Sequence, residues 1–258
     1  DALPIWPEVQ TPDDYTGWVH KDAILPVSAE RLHEWNAAPK VVVTALWSVV
    51  KNGKETVCDV VAGSRLRLIG RKGCSYKVAL PDGREGFVSR ADAAPEADWR
   101  RSLDLSADAI IATALTMNGF PYLWAGMSPK GMDCSGFVRT VLYLHDIIIP
   151  RDASQQAPKG ERIIIADDFS NLLPGDLIFF GRKGVDGATD RVSHVAVSLG
   201  GGRFIHSLGR VQEASLVPAD PDYDESDHKR LLYASRVLPH INRQDGLNTT
   251  ETNPFYNE

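Results

Sequence analysis

Three side chains in this sequence have the types and surroundings for nucleophilic chemistry: Cys134, His194 and His206. Cys134 lies in Gly131-Met132-Asp133-Cys134-Ser135-Gly136-Phe137, where an apolar helical stripe begins and Asp133 is placed to cap it. A thiol there faces unpaired backbone N–H groups and the positive end of the helix dipole, and both favour the reactive thiolate. Taken alone, a buried structural cysteine is as ordinary a reading. The histidines change the balance. His194 lies in Ser193-His194-Val195-Ala196-Val197 and His206 in Arg203-Phe204-Ile205-His206-Ser207, two alternating segments joined by Gly200-Gly201-Gly202. A hairpin centred on Gly200 sets His194 directly opposite His206, with Cβ atoms about 5 Å apart on one face. A two-residue Gly200-Gly201 turn would send the rings to opposite faces, so the spacing predicts an odd loop of about three or five residues. His194 is then the base that takes the thiol proton, giving a thiolate–imidazolium pair, and His206 fixes its tautomer. Two ordinary half-buried histidines are the bland alternative. A zinc site of Cys134, His194 and His206 is a rival, but no fourth ligand is evident and the short spacings of zinc sites are missing, so no metal is expected.

The elements around these residues read as α+β. Ser106 caps a helix with Ala109, Ile110, Thr113, Ala114 and Met117 on one face, ended by Asn118-Gly119 and Pro121. The helix from Cys134 buries Phe137, Val138, Val141, Leu142 and His145. Strands are expected at Leu177 to Phe180, Ser193 to Leu199, Arg203 to Leu208 and Tyr233 to Leu238, the antiparallel half of the fold. From about Arg243 a loose polar tail is expected. Asp176 follows Pro174-Gly175 and braces a loop. The acidic run Asp220 to Asp227 lacks an EF-hand pattern and reads as a solvated loop. His20, His33, His145, His228 and His240 are given structural or surface roles.

The first part of the chain is different in texture. Thr11-Pro12-Asp13-Asp14-Tyr15-Thr16-Gly17-Trp18-Val19 repeats as Leu80-Pro81-Asp82-Gly83-Arg84-Glu85-Gly86-Phe87-Val88, a polar turn leading into Gly-aromatic-Val. Strand candidates at Val41 to Leu46, Glu55 to Val61, Leu66 to Ile69 and Tyr76 to Leu80 precede the second copy and predict a small barrel. The first copy reads as the closing half of a similar barrel. Among three cysteines Cys58 and Cys74 read as isolated thiols.

The 258 residues are 43% apolar and 24% charged, an ordinary globular composition with a formal net charge of -6. That charge disfavours nucleic acid or an anionic membrane as partner. No segment has the length and apolarity of a membrane span. Asp1 to Pro7 read as a trimmed end, which leaves the compartment open.

Several short pieces, in order, resemble the NlpC/P60 family of papain-like cysteine peptidases: Pro121-Tyr122-Leu123-Trp124-Ala125-Gly126, Asp133-Cys134-Ser135-Gly136-Phe137, Pro150-Arg151-Asp152-Ala153-Ser154-Gln155-Gln156, Leu173-Pro174-Gly175-Asp176-Leu177-Ile178-Phe179-Phe180, Ser193-His194-Val195-Ala196 and Phe204-Ile205-His206-Ser207. The β segments ahead of them resemble bacterial SH3-like modules. The resemblance implies an α+β papain-like peptidase domain behind an all-β SH3-like barrel region. The expected domains are the end of a first SH3-like module with a linker (1–30), an SH3-like barrel (31–100), the peptidase (101–242) and a polar tail (243–258).

The same resemblance implies hydrolysis of the bond between γ-linked D-Glu and a diamino acid in peptidoglycan stem peptides, with Cys134, His194 and His206 as the triad and no cofactor. It implies that Tyr122 donates to the oxyanion beside the Cys134 N–H, that Asp133 and Ser135 bind a free N-terminal L-Ala amine, and that Arg151 meets the D-Glu carboxylate. Trp124 is expected to line the pocket and Tyr15 to reach it from the first module. The family's Tyr-x-Trp-Gly-Gly has Ala125 at its first glycine, and Ala153 replaces a small polar contact of some relatives. Alternatives are a wall-peptide amidase or acyl transferase using the same thiol, and a wall-binding protein without catalysis. A monomer in the cell envelope, periplasmic or secreted, is expected, with cytoplasmic recycling of wall peptides as the other setting.

Overall fold

A computed structural model describes residues 4–185, 189–243 and 247–256. The chain divides into two compact units, Asp1–Leu103 with Asn253–Glu258, and Asp104–Thr252.

In the first unit β1 (Glu8–Gln10) and β2 (Thr16–Trp18) form a hairpin, followed by α1 (Ala29–Ala37), a helix the sequence reading did not anticipate. Ser28 Oγ caps α1 by accepting from Arg31 N at 3.3 Å. Seven antiparallel strands follow: β3 (Lys40–Val43), β4 (Trp47–Asn52), β5 (Glu55–Val61), β6 (Arg65–Lys72), β7 (Ser75–Ala79), β8 (Glu85–Ser89) and β9 (Ala93–Pro95), in the order β5-β4-β8-β7-β6-β3-β9. Then comes α2 (Glu96–Ser102). Val41, Val43, Val50, Leu66, Val78 and Val88 fill the core. Among the described residues no sheet closes on itself, so the expected barrel is an open sheet with β5 and the short β9 at its edges. β9 ends in Pro95, which has no N–H for a further ladder.

The repeat is real at the level of hydrogen bonds. Thr11 N donates to Tyr15 O at 2.9 Å and Asp14 N to Thr11 O at 2.9 Å. Leu80 N donates to Arg84 O at 2.8 Å and Gly83 N to Leu80 O at 3.0 Å, the same turn in the same places. Asp14 (φ 60°) and Gly83 (φ 87°) share the left-handed position.

In the second unit α3 (Ala107–Leu115) is capped by Ser106, whose Oγ accepts from Ala109 N at 3.3 Å. A short ribbon, β10 (Met127–Ser128) and β11 (Gly131–Met132), leads into α4 (Cys134–Tyr143), and α5 (Ala153–Gln156) follows. The sheet uses β12 (Glu161–Ile163), β13 (Leu177–Arg182), β14 (Arg191–Gly200), β15 (Arg203–Leu208), β16 (Arg210–Ser215) and, after α6 (Glu225–Lys229), β17 (Leu231–Arg236). Its order is β12-β17-β13-β14-β15-β16. Phe137, Val138, Val141 and Leu142 are buried on α4, and Phe180, Ala196, Phe204 and Ala234 in the sheet. This is the α+β arrangement expected. Asp176 braces its loop as read, with Arg236 Nε and Nη2 both at 2.9 Å from the carboxylate.

The described part of the polar end is not loose. Thr250 is fully buried, and Ile148 N donates to Asn248 O at 2.7 Å. Polar composition misled here because these side chains pair locally, as in Thr249 N to Asn242 Oδ1 at 3.0 Å. No helix among the described residues is long and apolar enough to cross a membrane.

Candidate active site

Cys134 opens α4, and the segment before it is locked to the helix start through backbone atoms. Asp133 Oδ1 accepts from Gly136 N at 2.7 Å, the expected N-cap, and its Oδ2 accepts from Ala125 N at 2.9 Å. A Cβ on Gly136 would stand 2.1 Å from Gly126 O, so only glycine permits this approach of loop to helix. Ahead of the loop, Tyr122 N donates to Gly209 O at 3.1 Å and Val211 N to Phe120 O at 2.8 Å, which ties 120–122 to the start of β16. Ser207 Oγ donates to Met132 O at 2.7 Å, linking β15 to the residues just before the thiol.

The half-buried thiol is approached by the backbone N–H groups of Val195, Ser135 and Cys134 itself, which favour thiolate. Burial and the charge of Asp133 outweigh them, so the thiol is pushed above the ordinary cysteine range. The expectation of a ready thiolate is therefore not met at rest: desolvation wins over the helix end.

His194 and His206 come together, but not in the register expected. β14 and β15 pair as Val197–Ile205, Ser198–Phe204 and Gly200–Arg203, with a bulge between Ser198 and Gly200. The loop is the two residues Gly201-Gly202, both at positive φ (59° and 88°), as a type I′ turn requires. Carrying that register along, His206 falls beside Ala196, diagonal to His194 on the same face. The bulge at Leu199 supplies the extra residue that an odd loop was expected to supply, and so preserves the face. His194 Nε2 and His206 Nδ1 are 2.9 Å apart. Both rings are buried, packed against Phe180 and Phe204 respectively. Burial and the neighbouring His206 push His194 down to about 3, against the pull of Asp227. A neutral imidazole beside a neutral thiol is thus the resting state. With Nε2 engaged by His206, Nδ1 is the nitrogen left to serve as base. Among the described residues no hydrogen bond joins the sulfur to His194 at rest.

Asp227, read from the sequence as the end of a solvated acidic loop, is fully buried beside these rings. Its Oδ2 is 3.3 Å from His206 Nδ1 and 4.0 Å from His194 Nε2. Its Oδ1 accepts from Arg230 Nε at 2.8 Å and Nη2 at 2.6 Å. Burial raises the Asp227 pKa, but His206, His194 and Arg230 overcome it and hold the carboxyl below its usual range. The available signal was Asp224-x-x-Asp227 as a helix start with Arg230 following at i+3: Asp224 caps α6 by accepting from Asp227 N at 2.8 Å.

His194 Nε2, His206 Nδ1 and Asp227 Oδ2 lie within 4.8 Å of one another, the one cluster of metal-capable donors among the described residues. The two ring nitrogens are joined to each other at 2.9 Å, the length of a hydrogen bond. Cys134 is not in that cluster, so the zinc set weighed from the sequence is not assembled.

The remaining candidates fall in distinct places. Arg151 is buried, with Nη2 2.6 Å from Asp133 Oδ2, and Nη1 3.1 Å from Asp133 Oδ1 and 2.9 Å from Ser135 Oγ. Burial disfavours its charge, yet the hydrogen bond and charge of Asp133 outweigh that and raise its pKa. Asp133, Ser135 and Arg151 are thus one internal network, satisfied before any ligand arrives. Tyr122 is half-buried; burial and the nearby Cys134 and Asp133 raise its hydroxyl pKa, which keeps it a donor. Trp124 is 81% exposed, which excludes a core role. Ala125, at the first glycine of the family pattern, has a positive φ of 63°, a backbone strain that the sequence reading did not anticipate. Tyr15 belongs to the first unit, where its ring lies against Gly17. Cys58 and Cys74 are free thiols.

The sequence of this site agrees with known proteins. Residues 119–228 match the NlpC/P60 family. The chain is 33% identical over 240 residues to a γ-D-glutamyl-L-lysine dipeptidyl-peptidase of Bacillus cereus, covering 90% of this chain and 67% of that protein. It is 31% identical over 207 residues to the protein of that name from Bacillus subtilis, covering 80% of this chain and 64% of the relative. It thus spans about two thirds of the length of these relatives. A crystal structure of an NlpC/P60 family protein from Bacillus cereus superposes with a TM-score of 0.71 at 30% identity, over 93% of this chain and 78% of that one. The chain belongs to the NlpC/P60 family.

Proposed function

We propose that this protein is a cysteine endopeptidase of peptidoglycan stem peptides, cutting between γ-D-Glu and the diamino acid with Cys134 as nucleophile. The observation that carries the reading is the hydrogen-bonded ring pair of His194 and His206, 2.9 Å apart, on strands that pack against the helix begun by Cys134. As the peptide carbonyl is attacked, the thiol proton passes to Nδ1 of His194. The new sulfur–carbon bond forms as the carbonyl π electrons move onto oxygen. The Cys134 N–H and the Tyr122 hydroxyl stabilise that oxyanion. His194 then returns the proton to the departing amine of the diamino acid. Water, deprotonated by the same ring, releases the acyl half from its thioester.

Selection for a free N-terminal L-Ala is supported by the names of the two Bacillus relatives, dipeptidyl-peptidases, and by the carboxylate of Asp133 next to the nucleophile. Arg151 and Ser135 shape that carboxylate, Arg151 and Trp124 meet the acyl half of the substrate, and the first unit is an SH3-like module.

Mass spectrometry of products from a defined stem peptide tests this. Release of L-Ala-γ-D-Glu by the native chain, none by Cys134→Ser, and none from N-acetylated peptide are expected. Unchanged cleavage by Cys134→Ser would reject the nucleophile; equal rates on free and acetylated peptides would reject the amine clamp.

A further inference from the structure

The imidazole pair has an unresolved proton inventory. If His194 Nδ1 is to accept a proton, neutral His194 must carry hydrogen on Nε2 and donate it to His206 Nδ1. Neutral His206 then carries its own hydrogen on Nε2, and that nitrogen is buried without a hydrogen-bond partner. The second orphan is Asp227 Oδ2, also buried and without a well-aligned hydrogen bond. That oxygen lies 3.3 Å from His206 Nδ1 and 4.0 Å from His194 Nε2, beside the proton the two rings share. A buried carboxylate with one oxygen idle is costly unless a cation or a donor comes to it.

Such a cation forms during turnover. Once His194 has taken the thiol proton, the ring pair holds one proton more than its neutral complement. The Nε2 proton of His194 can pass to His206 Nδ1 along the 2.9 Å contact, which leaves His194 neutral and His206 an imidazolium facing Asp227 Oδ2. No other atoms or electrons are needed. Arg230 fixes the opposite oxygen with a two-nitrogen grip, so the idle oxygen is aimed and cannot swing away.

Resting on the assignment of His194 as base, we propose that Asp227, aligned by Arg230, is a positioning residue that stabilises the protonated His194–His206 pair formed when Cys134 ionises. The charged or titratable groups acting on His194 are His206 from β15, Asp227 from α6 and Arg230 at the C-cap of α6. Cys134 feels Asp133 instead, so the effect of Asp227 on the thiol runs through the rings.

Iodoacetamide alkylation of Cys134 in the full chain, resolved from Cys58 and Cys74 by peptide mass spectrometry, reads this without any substrate. Near pH 7 the thiol ionises by passing its proton to the rings; toward about pH 10 hydroxide takes that proton directly. Asp227→Asn is expected to slow alkylation near pH 7 by at least about tenfold and leave the rate at about pH 10 unchanged, with partial recovery in Asp227→Glu. On a stem peptide kcat falls in parallel while KM holds. A merely structural loss lowers both alkylation rates together and overturns the proposal, as does an unchanged rate near neutrality. If Asp227→Asn does not fold, Arg230→Gln reports the same selective loss at smaller size, and no selective loss there overturns it. His194→Gln separates the two levels of the argument. If it too keeps the neutral rate, the base assignment fails; if it loses that rate while Asp227→Asn keeps it, only the role of Asp227 fails.

Discussion

Both terminal nitrogens of Arg151 are turned onto Asp133, Nη2 2.6 Å from Oδ2 and Nη1 3.1 Å from Oδ1, with the two side chains only 11% and 9% exposed. A buried pair of this kind is expensive to break from one side, because the surviving charge stays out of water. Arg151→Ala is expected to lower stability by about 3 kcal/mol. Replacing both charges, as in Asp133→Asn with Arg151→Met, is expected to cost less than the single change. Urea unfolding of the two variants checks this; a single variant no worse than the double would contradict it.

Ala125 occupies the left-handed region at φ 63° while its N–H holds Asp133 Oδ2 at 2.9 Å. An L-residue there carries about 1–2 kcal/mol of backbone strain that glycine lacks. Ala125→Gly is expected to stabilise the chain by about 1 kcal/mol, reduced from the full strain by glycine's extra freedom when unfolded. A lower melting temperature in that variant would argue against strain at this residue.

Gly136→Ala should do the opposite. Its methyl would meet Gly126 O, a backbone atom, at 2.1 Å. Loop and helix must separate, at a cost of about 3 kcal/mol or more, and the thiol moves with them. Thermal unfolding together with Cys134 alkylation reads both effects. Full stability with native alkylation would show that the approach is not close in solution.

His194 lends stability a definite pH dependence. Its pKa is about 3 in the folded chain, against 6.5 for a free ring. Between those values the unfolded chain binds the proton and the folded chain does not, so stability rises with pH through this window. The contribution is complete above about 6.5 and lost as pH falls toward 3, at up to about 1.4 kcal/mol per pH unit. Buried His145, also lowered by desolvation, adds to the same limb. His194→Gln should flatten part of the slope of unfolding free energy between pH 4 and 6, as about one proton fewer is taken up on unfolding. An identical slope in the variant would show that the ring titrates normally.

Much of the site could be read in the sequence, because its chemistry is written in local terms. Asp133 before Cys134 announces a cap, and period-two strands carrying His194 and His206 announce one shared face. The bulge at Leu199 could not be read, since a glycine run permits several loops and only the pairing of Val197 with Ile205 decides among them. Asp227 was hidden for another reason. Its acidic neighbours Asp220, Asp222 and Asp224 do pair with the solvent-side groups of Arg203 or with turn backbone, as a solvated loop should. One carboxylate in that run points inward, marked by its place three residues after the cap Asp224 and three before Arg230. β4 had its own signal in Gly53, which at positive φ opens the two-residue Gly53-Lys54 loop between Asn52 and Glu55.

The segment ahead of Cys134 is fastened by main-chain atoms and by two glycines, while Leu123, Trp124 and Met127 point outward at 55%, 81% and 40% exposure. Holding geometry and displaying side chains are therefore separate tasks in this stretch. Residues 123, 124 and 127 can drift under selection for new wall chemistries while the sulfur stays where it is, which lets one scaffold diversify its diet without rebuilding its machinery.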